Sequence, residues 1–429
     1  MYFKPGKKHM KWRSPLFLFF FLFSLLSCST NPVTGESQWS MPISEQIAIG
    51  ARQYAPAQQS QGGRYIVDAD LNVYVNQVGQ KVATHSDLDL PYEFVVLNND
   101  VPNAWALPGG KIAINRGLLV LLEDEAQLAA VLGHEVVHAA AEHGATQMRK
   151  SQLLGLGVIV AGIASQESDY SAAITLGAAV GAQAWQAHYG RSQELQADHY
   201  GMKYMAAAGY ETQAAVELQE TFVKLSSQNG SGNALSALFA SHPPSQERVD
   251  KNRAQVKKYP QGKRNKSAYQ NAIAQIKKDQ PAYKANLEAQ SLAAEKKWEE
   301  ALQSVKRAQS LQPNEAMFFL TEGRIHLAKE DVNAALKPLE KAGKLNPDYF
   351  LPSLLHGLTA RELKQNASAK ASLQRSYDSL PTAIAAYNLG EIELQEGDKV
   401  RARAWFKEAA ADEGEIGKKA RQQLDALGS

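Results

Sequence analysis

Apolar positions along this chain fall into three regimes, and each predicts a different kind of element. Between Leu16 and Leu26 they form a nearly unbroken run of 11 residues behind a basic stretch of Lys4, Lys7, Lys8, Lys11 and Arg13. That is about half of the ~20 residues a membrane-crossing helix needs, and it suits the apolar centre of a secretion signal. From Glu125 to Met148 the spacing is helical, with Ala126, Leu128, Ala129, Leu132 and Val136 apolar, which predicts one long helix. Two runs of small and apolar residues, Leu153 to Ala164 and Ala172 to Ala184, predict buried or interfacial helices packed through Gly and Ala, or a lid touching membrane or substrate. Lys257 to Lys266 (KKYPQGKRNK) is basic, contains Pro and Gly and has no apolar period, so it reads as a linker.

Beyond that stretch the pattern repeats. Pro313, Pro347 and Pro381 are 34 residues apart; Ala301, Ala335, Ala369 and Ala402 keep nearly the same period. Ala308, Ala342, Ser376 and Ala409 form another register, and Gly323, Gly357 and Gly390 a fourth. A 34-residue period with small residues on each helix and Pro near the boundary is the tetratricopeptide pattern. Small residues sit where paired helices approach; Leu, Tyr and Phe fill the space between repeats. About four helical hairpins are expected over 268–429, stacked into a short curved solenoid that binds protein segments and carries no chemistry.

Composition narrows the possibilities. The chain has 429 residues, and setting aside 1–28 leaves 41 basic against 44 acidic residues, so no general electrostatic attraction to nucleic acid is expected. A single Cys excludes an internal disulfide framework and any zinc site built from several thiolates. That Cys28 ends the sequence Leu25-Leu26-Ser27-Cys28, which resembles a bacterial lipobox. That resemblance implies a lipoprotein signal peptide over residues 1–27 with Cys28 as the lipidated anchor to a membrane; the alternative is an ordinary signal peptide that happens to contain a cysteine. Ser29 in place of Asp favours the outer membrane, facing a Gram-negative periplasm.

The candidate chemistry lies in Gly133-His134-Glu135-Val136-Val137-His138, an H-E-x-x-H motif. On a helix, His134 and His138 lie ~40° apart and one turn apart, so both imidazoles can reach one Zn²⁺, while Glu135 can face a water. A third ligand is required. His143 falls about 180° round the same helix and is expected to face away as a packing or surface residue. Glu194 and Asp198 share one face of a later apolar helix: Glu194 is the expected ligand, and Asp198 would accept a hydrogen bond from a ligand His and fix its tautomer.

The pairing of G-H-E-V-V-H with Glu194-Leu195-Gln196-Ala197-Asp198-x-x-Gly201 resembles the gluzincin family of the CAAX prenyl protease and HtpX. Asn103 to Ile112 resembles that family's strand and turn before the active-site helix, and Ser241 to Arg248 resembles its H-P-x-x-x-x-R segment. With the signal and the repeats, the chain is similar to the periplasmic, β-barrel assembly-enhancing branch. The resemblance implies a mainly α, α+β zincin-like protease domain over 28–256, a linker over 257–267 and an all-α solenoid over 268–429. It implies peptide-bond hydrolysis with one Zn²⁺ held by His134, His138 and Glu194 and with Glu135 as general base. Arg248 and His242 are candidate oxyanion donors, His242 alternatively a fourth zinc ligand that keeps the enzyme latent, and both alternatively structural. Gly109-Gly110 leads into Lys111-Ile112-Ala113-Ile114, read as an edge strand that pairs with an extended substrate, or as an ordinary hairpin. Misfolded or stalled envelope proteins are the implied substrates, with the outer-membrane β-barrel assembly machinery as a partner of the repeats. The competing reading is a chaperone-like adaptor with a largely latent zinc site.

Overall fold

The computed structural model describes residues 29–153, 189–228 and 235–428. The signal segment, Cys28 and most of the two small-residue runs lie outside the described residues. Among the described residues no helix is long and apolar enough to cross a membrane.

The chain begins with a small antiparallel pair, β1 (Ser29–Thr30) and β2 (Ser37–Gln38). Helices α1 (Ile43–Ser60) and α2 (Ala69–Ala83) precede a three-stranded sheet of β3 (Glu93–Leu97), β4 (Ala104–Leu107) and β5 (Lys111–Asn115). The order is β3-β5-β4: β5 runs parallel to β3 and antiparallel to β4. A short helix, α3 (Arg116–Leu119), leads to α4 (Glu125–Ala140), which carries the H-E-x-x-H motif. Asp124 caps α4 by accepting from the Gln127 N–H at 3.0 Å, satisfying one of the free amides of its first turn. Nearly every residue of α4 is buried, as expected of a helix that is apolar all round.

The expected long helix does not continue to Met148. It ends at Ala140, Glu142 takes a left-handed conformation (φ 57°), and α5 (His143–Leu153) starts on a new axis. After the undescribed stretch come α6 (Arg191–Ala207), α7 (Gln213–Gln228), α8 (Ser236–Ser241) and α9 (Gln246–Val256). The KKYPQGKRNK stretch is hydrogen-bonded to what precedes it: Lys263 N–H donates to Gly209 O at 2.9 Å, and Arg264 reaches Asp124 and Glu217.

Past α10 (Lys266–Ala272), four helical hairpins follow: α11 (Ala274–Ala294) with α12 (Trp298–Leu311), α13 (Ala316–Ala328) with α14 (Val332–Leu345), α15 (Phe350–Glu362) with α16 (Asn366–Ser379), and α17 (Ala383–Gln395) with α18 (Lys399–Ala409); α19 (Glu415–Ala426) closes the array. The periodic glycines sit at the crossings: a Cβ on Gly323 would meet Leu339 at 2.5 Å, one on Gly357 would meet Leu373 at 2.7 Å, and one on Gly390 would meet Phe406 at 2.7 Å.

One hydrophobic core runs from the sheet and α4 into the first repeats, joining Tyr65, Val75 and Leu132 to Tyr269, Tyr283 and Phe318. Polar groups close the same junction. The Arg116 guanidinium lies 3.3 Å from the Tyr283 ring centre, the Tyr283 hydroxyl donates to Glu315 at 2.7 Å, and the Asn98 amide donates to Glu315 at 3.0 Å. Farther along, the Gln59 amide donates to Asp348 O and Gln59 Oε1 accepts from the Phe350 N–H.

Candidate metal centre

A helix crossing builds the site. Gly133 on α4 and Gly201 on α6 meet so closely that a Cβ on Gly133 would stand 3.0 Å from Gly201 O, and one on Gly201 would stand 3.0 Å from His134 N. Glu194, Asp198 and Gly201 occupy one face of α6, so this approach carries both carboxylates over His134. The short helix α8 ends at Ser241 and delivers His242 from a third direction.

The result is a compact donor set. His134 Nε2 lies 3.0 Å from His138 Nε2, and the Glu194 oxygens lie 3.5 and 3.3 Å from those two nitrogens. His242 Nδ1 lies 3.1 Å from Glu194 and 3.3 Å from His134 Nε2. One ligand atom from each of the four residues falls within 4.8 Å of all the others. Ligands about 2 Å from a tetrahedral zinc stand ~3.3 Å apart, so N₂O with a further N at these separations fits that ion. Glu135 adds a second sign of a missing positive charge: its Oε2 is buried with no hydrogen-bond partner.

The electrostatics agree. Burial opposes a charge on His134, but the Glu194 carboxylate and the hydrogen bond to Asp198 raise its pKa to about 10. Burial drives His138 well below its ordinary value and His143 down to about 4, so both are neutral. Burial raises the Glu135 carboxyl, partly countered by His242 and His134. Glu194 stays well below the ordinary carboxylate value despite burial, because His242 and His134 favour its charge. Asp198 is also held low against burial, by Arg248.

Arg248 is turned toward the carboxylates. Its Nε and Nη2 donate to the two Asp198 oxygens at 2.6 and 2.7 Å, Nη1 donates to Pro243 O at 3.0 Å, and Nη1 lies 2.7 Å from Glu194 Oε2. Of the readings open for Arg248, this geometry matches the ion pair. Asp198 Oδ1 lies 3.1 Å from His134 Nδ1. His242 turns its other nitrogen to Glu135, 3.5 Å away.

Two expectations require correction. Lys111–Ile114 is not an edge: β5 is paired on both sides and is the centre of its sheet. Lys111 is buried and ion-paired to Glu93, and Gly109 and Gly110, at φ 78° and 85°, make the hairpin turn packed against Ile47 and Tyr92. The outer strands are β3 and β4. Periodicity missed this because β3 reaches β5 by a crossover that leaves no local trace. His143, expected to face away, instead lies buried with Nδ1 3.0 Å from His138 Nδ1, because the Glu142 turn swings it back. Sequence reasoning also missed Tyr189, whose ring stacks on His138 with centroids 3.6 Å apart, and Gln196, which meets His143. Neither has a signal of its own, although Gln196 stands inside the Glu194–Asp198 motif. An apolar cavity adjoins His134 and Glu135, walled by Val131, Met205, Leu218, Phe222 and Leu238.

Helices presenting such a donor set around an H-E-x-x-H motif have the arrangement of a zincin-type metal site, and comparison with known proteins points the same way. Residues 69–256 match the model of peptidase family M48, and residues 354–416 match that of tetratricopeptide repeats. A putative beta-barrel assembly-enhancing protease of Vibrio cholerae is 27% identical over 210 residues, covering 46% of this chain and 41% of the relative. The beta-barrel assembly-enhancing protease of Escherichia coli is 29% identical over 197 residues, covering 44% and 40%. Mitochondrial metalloendopeptidase OMA1 of Schizosaccharomyces pombe is 30% identical over 180 residues, covering 42% and 51%. The chain spans about half the length, or less, of these relatives.

Proposed function

We propose that this chain is a zinc-dependent endopeptidase that hydrolyses peptide bonds in misfolded or stalled envelope proteins. It works in the periplasm, held to the outer membrane through a lipidated Cys28, with the repeats docking the substrate or the β-barrel assembly machinery. The convergence of His134, His138 and Glu194 with the Glu135 carboxyl beside them carries this reading. Bound there, Zn²⁺ supplies a Lewis acid that polarises the scissile carbonyl and lowers the pKa of its water to about 7. Glu135 takes the proton of the attacking water and passes it to the leaving amine, a task suited to a carboxyl whose pKa burial has raised. Asp198 holds His134 in the tautomer that offers Nε2, and Arg248 holds Asp198 and Glu194 in place. The apolar cavity beside His134 and Glu135 would receive a side chain next to the cleaved bond.

Glu135→Gln tests the proposal: zinc content is expected to remain at one ion per chain while cleavage of an unfolded outer-membrane protein is lost. Undiminished cleavage would refute it. The position of His242 favours a second reading, in which its imidazole takes the fourth corner and the resting protein acts as a chaperone-like adaptor. Full in vivo function of Glu135→Gln would select that reading. Increased cleavage by His242→Ala would select a protease restrained by His242.

A further inference from the structure

The two imidazoles of the H-E-x-x-H pair both turn Nε2 toward the donor cluster, but different groups back them at Nδ1. His134 is backed by the Asp198 carboxylate. His138 Nδ1 faces His143 Nδ1 at 3.0 Å, and a hydrogen bond between two imidazole nitrogens requires one to carry the proton and the other to be bare. The far side of His143 decides which. Its Nε2 lies 3.0 Å from Gln196 Oε1, an atom that only accepts. A neutral His143 that donates there is bare at Nδ1, so Nδ1 accepts from His138 Nδ1–H. His138 is then left with the lone pair of Nε2 directed at Glu194 and His134.

From this we infer that His143 is a positioning residue of the metal centre: a relay from Gln196 through His143 fixes the tautomer of His138. The inference rests on the reading of this site as a zinc centre. The relay depends on the left-handed turn at Glu142, without which a continuous helix would carry residue 143 to the opposite side of α4. That turn is fastened from far away in sequence. The Gln46 amide donates to Glu142 at 2.8 Å, the Gln38 amide donates to its other oxygen at 2.5 Å, and the Asn31 amide donates to Ala141 O at 2.9 Å. Tyr189, stacked on His138, keeps the ring in plane.

The test compares three variants in competition with a chromophoric chelator. His143→Leu, which fills the space without an acceptor, is expected to bind zinc ~10–100-fold more weakly than wild type. Gln196→Leu, which frees the tautomer of His143, is expected to weaken binding in the same direction. His143→Asn, with an amide oxygen at the δ position, is expected to restore much of the loss. Long-range ¹H–¹⁵N spectra of the zinc-loaded, ¹⁵N-histidine-labelled protein should show His138 protonated at Nδ1 and His143 at Nε2. Wild-type affinity in His143→Leu and Gln196→Leu, or His143 protonated at Nδ1, would overturn the relay while leaving the zinc reading intact. A wild-type protein that binds no zinc would overturn both.

Discussion

The repeats and the metal centre bury polar groups in opposite ways. Within the repeats the partners are near in sequence: Gln309 donates to Glu322 thirteen residues on, and His356 meets Ser372 sixteen residues on. At the metal centre the partners of His134 at Asp198 and His242 are 64 and 108 residues away, and Asn31 reaches Ala141 across 110. A local pair can form, or be lost, with little consequence beyond its own hairpin. The metal centre exists only when segments far apart in the chain have all arrived, so each of its groups depends on the others.

That contrast orders the effects of substitution. Glu135→Gln should lower kcat by about 10²–10⁴-fold, since a general base contributes that much, with the metal-free unfolding midpoint barely changed. Arg248→Met should be the most damaging to the fold. It leaves Asp198 and Glu194 buried without their cation, a loss of ~3–5 kcal/mol read from urea unfolding of the metal-free protein. A smaller loss would mean that the centre is less interdependent than its long-range contacts imply. Acid should act on the same region. His143 is neutral in the fold down to a pKa of about 4, whereas the unfolded chain protonates it below about 6.5. Its contribution is therefore complete above pH 6.5 and lost as pH falls from there toward 4, by up to ~3 kcal/mol through linkage. His143→Asn should flatten that part of the stability–pH curve. Gly357→Ala, which drives a Cβ into Leu373, should cost ~1–3 kcal/mol and leave zinc affinity unchanged. Any change in zinc binding would break the separation drawn here. The smallest effect belongs to Gln59→Ala at the junction, about 1 kcal/mol.

The same contrast explains what could be read from the sequence. The hairpins were legible because Gly323, Gly357 and Gly390 each answer to a partner about 16 residues on, and a local rule repeated three times becomes a visible period. Helical spacing sets His134 with His138, and Glu194 with Asp198, on one face each, and the resemblance of the two motifs to one family pointed to them as a set. The break after Ala140 was not. Glu142 is no glycine, and the groups that hold its left-handed backbone come from Gln38 and Gln46, about a hundred residues earlier. His143 was misplaced for that reason alone. The central position of β5 was hidden in the same manner, since its parallel neighbour β3 is joined through β4 and two turns.

The junction sealed by Arg116, Tyr283, Asn98 and Glu315 has a consequence for how a polypeptide is processed. Because the solenoid is fused to the catalytic half by a shared interior, it works as a fixed arm rather than a swinging one. If the proposed function holds, a client gripped on that arm would meet the metal centre at one set offset along its length. On the proposed function, the place of cleavage would then be gauged by reach from the gripped segment.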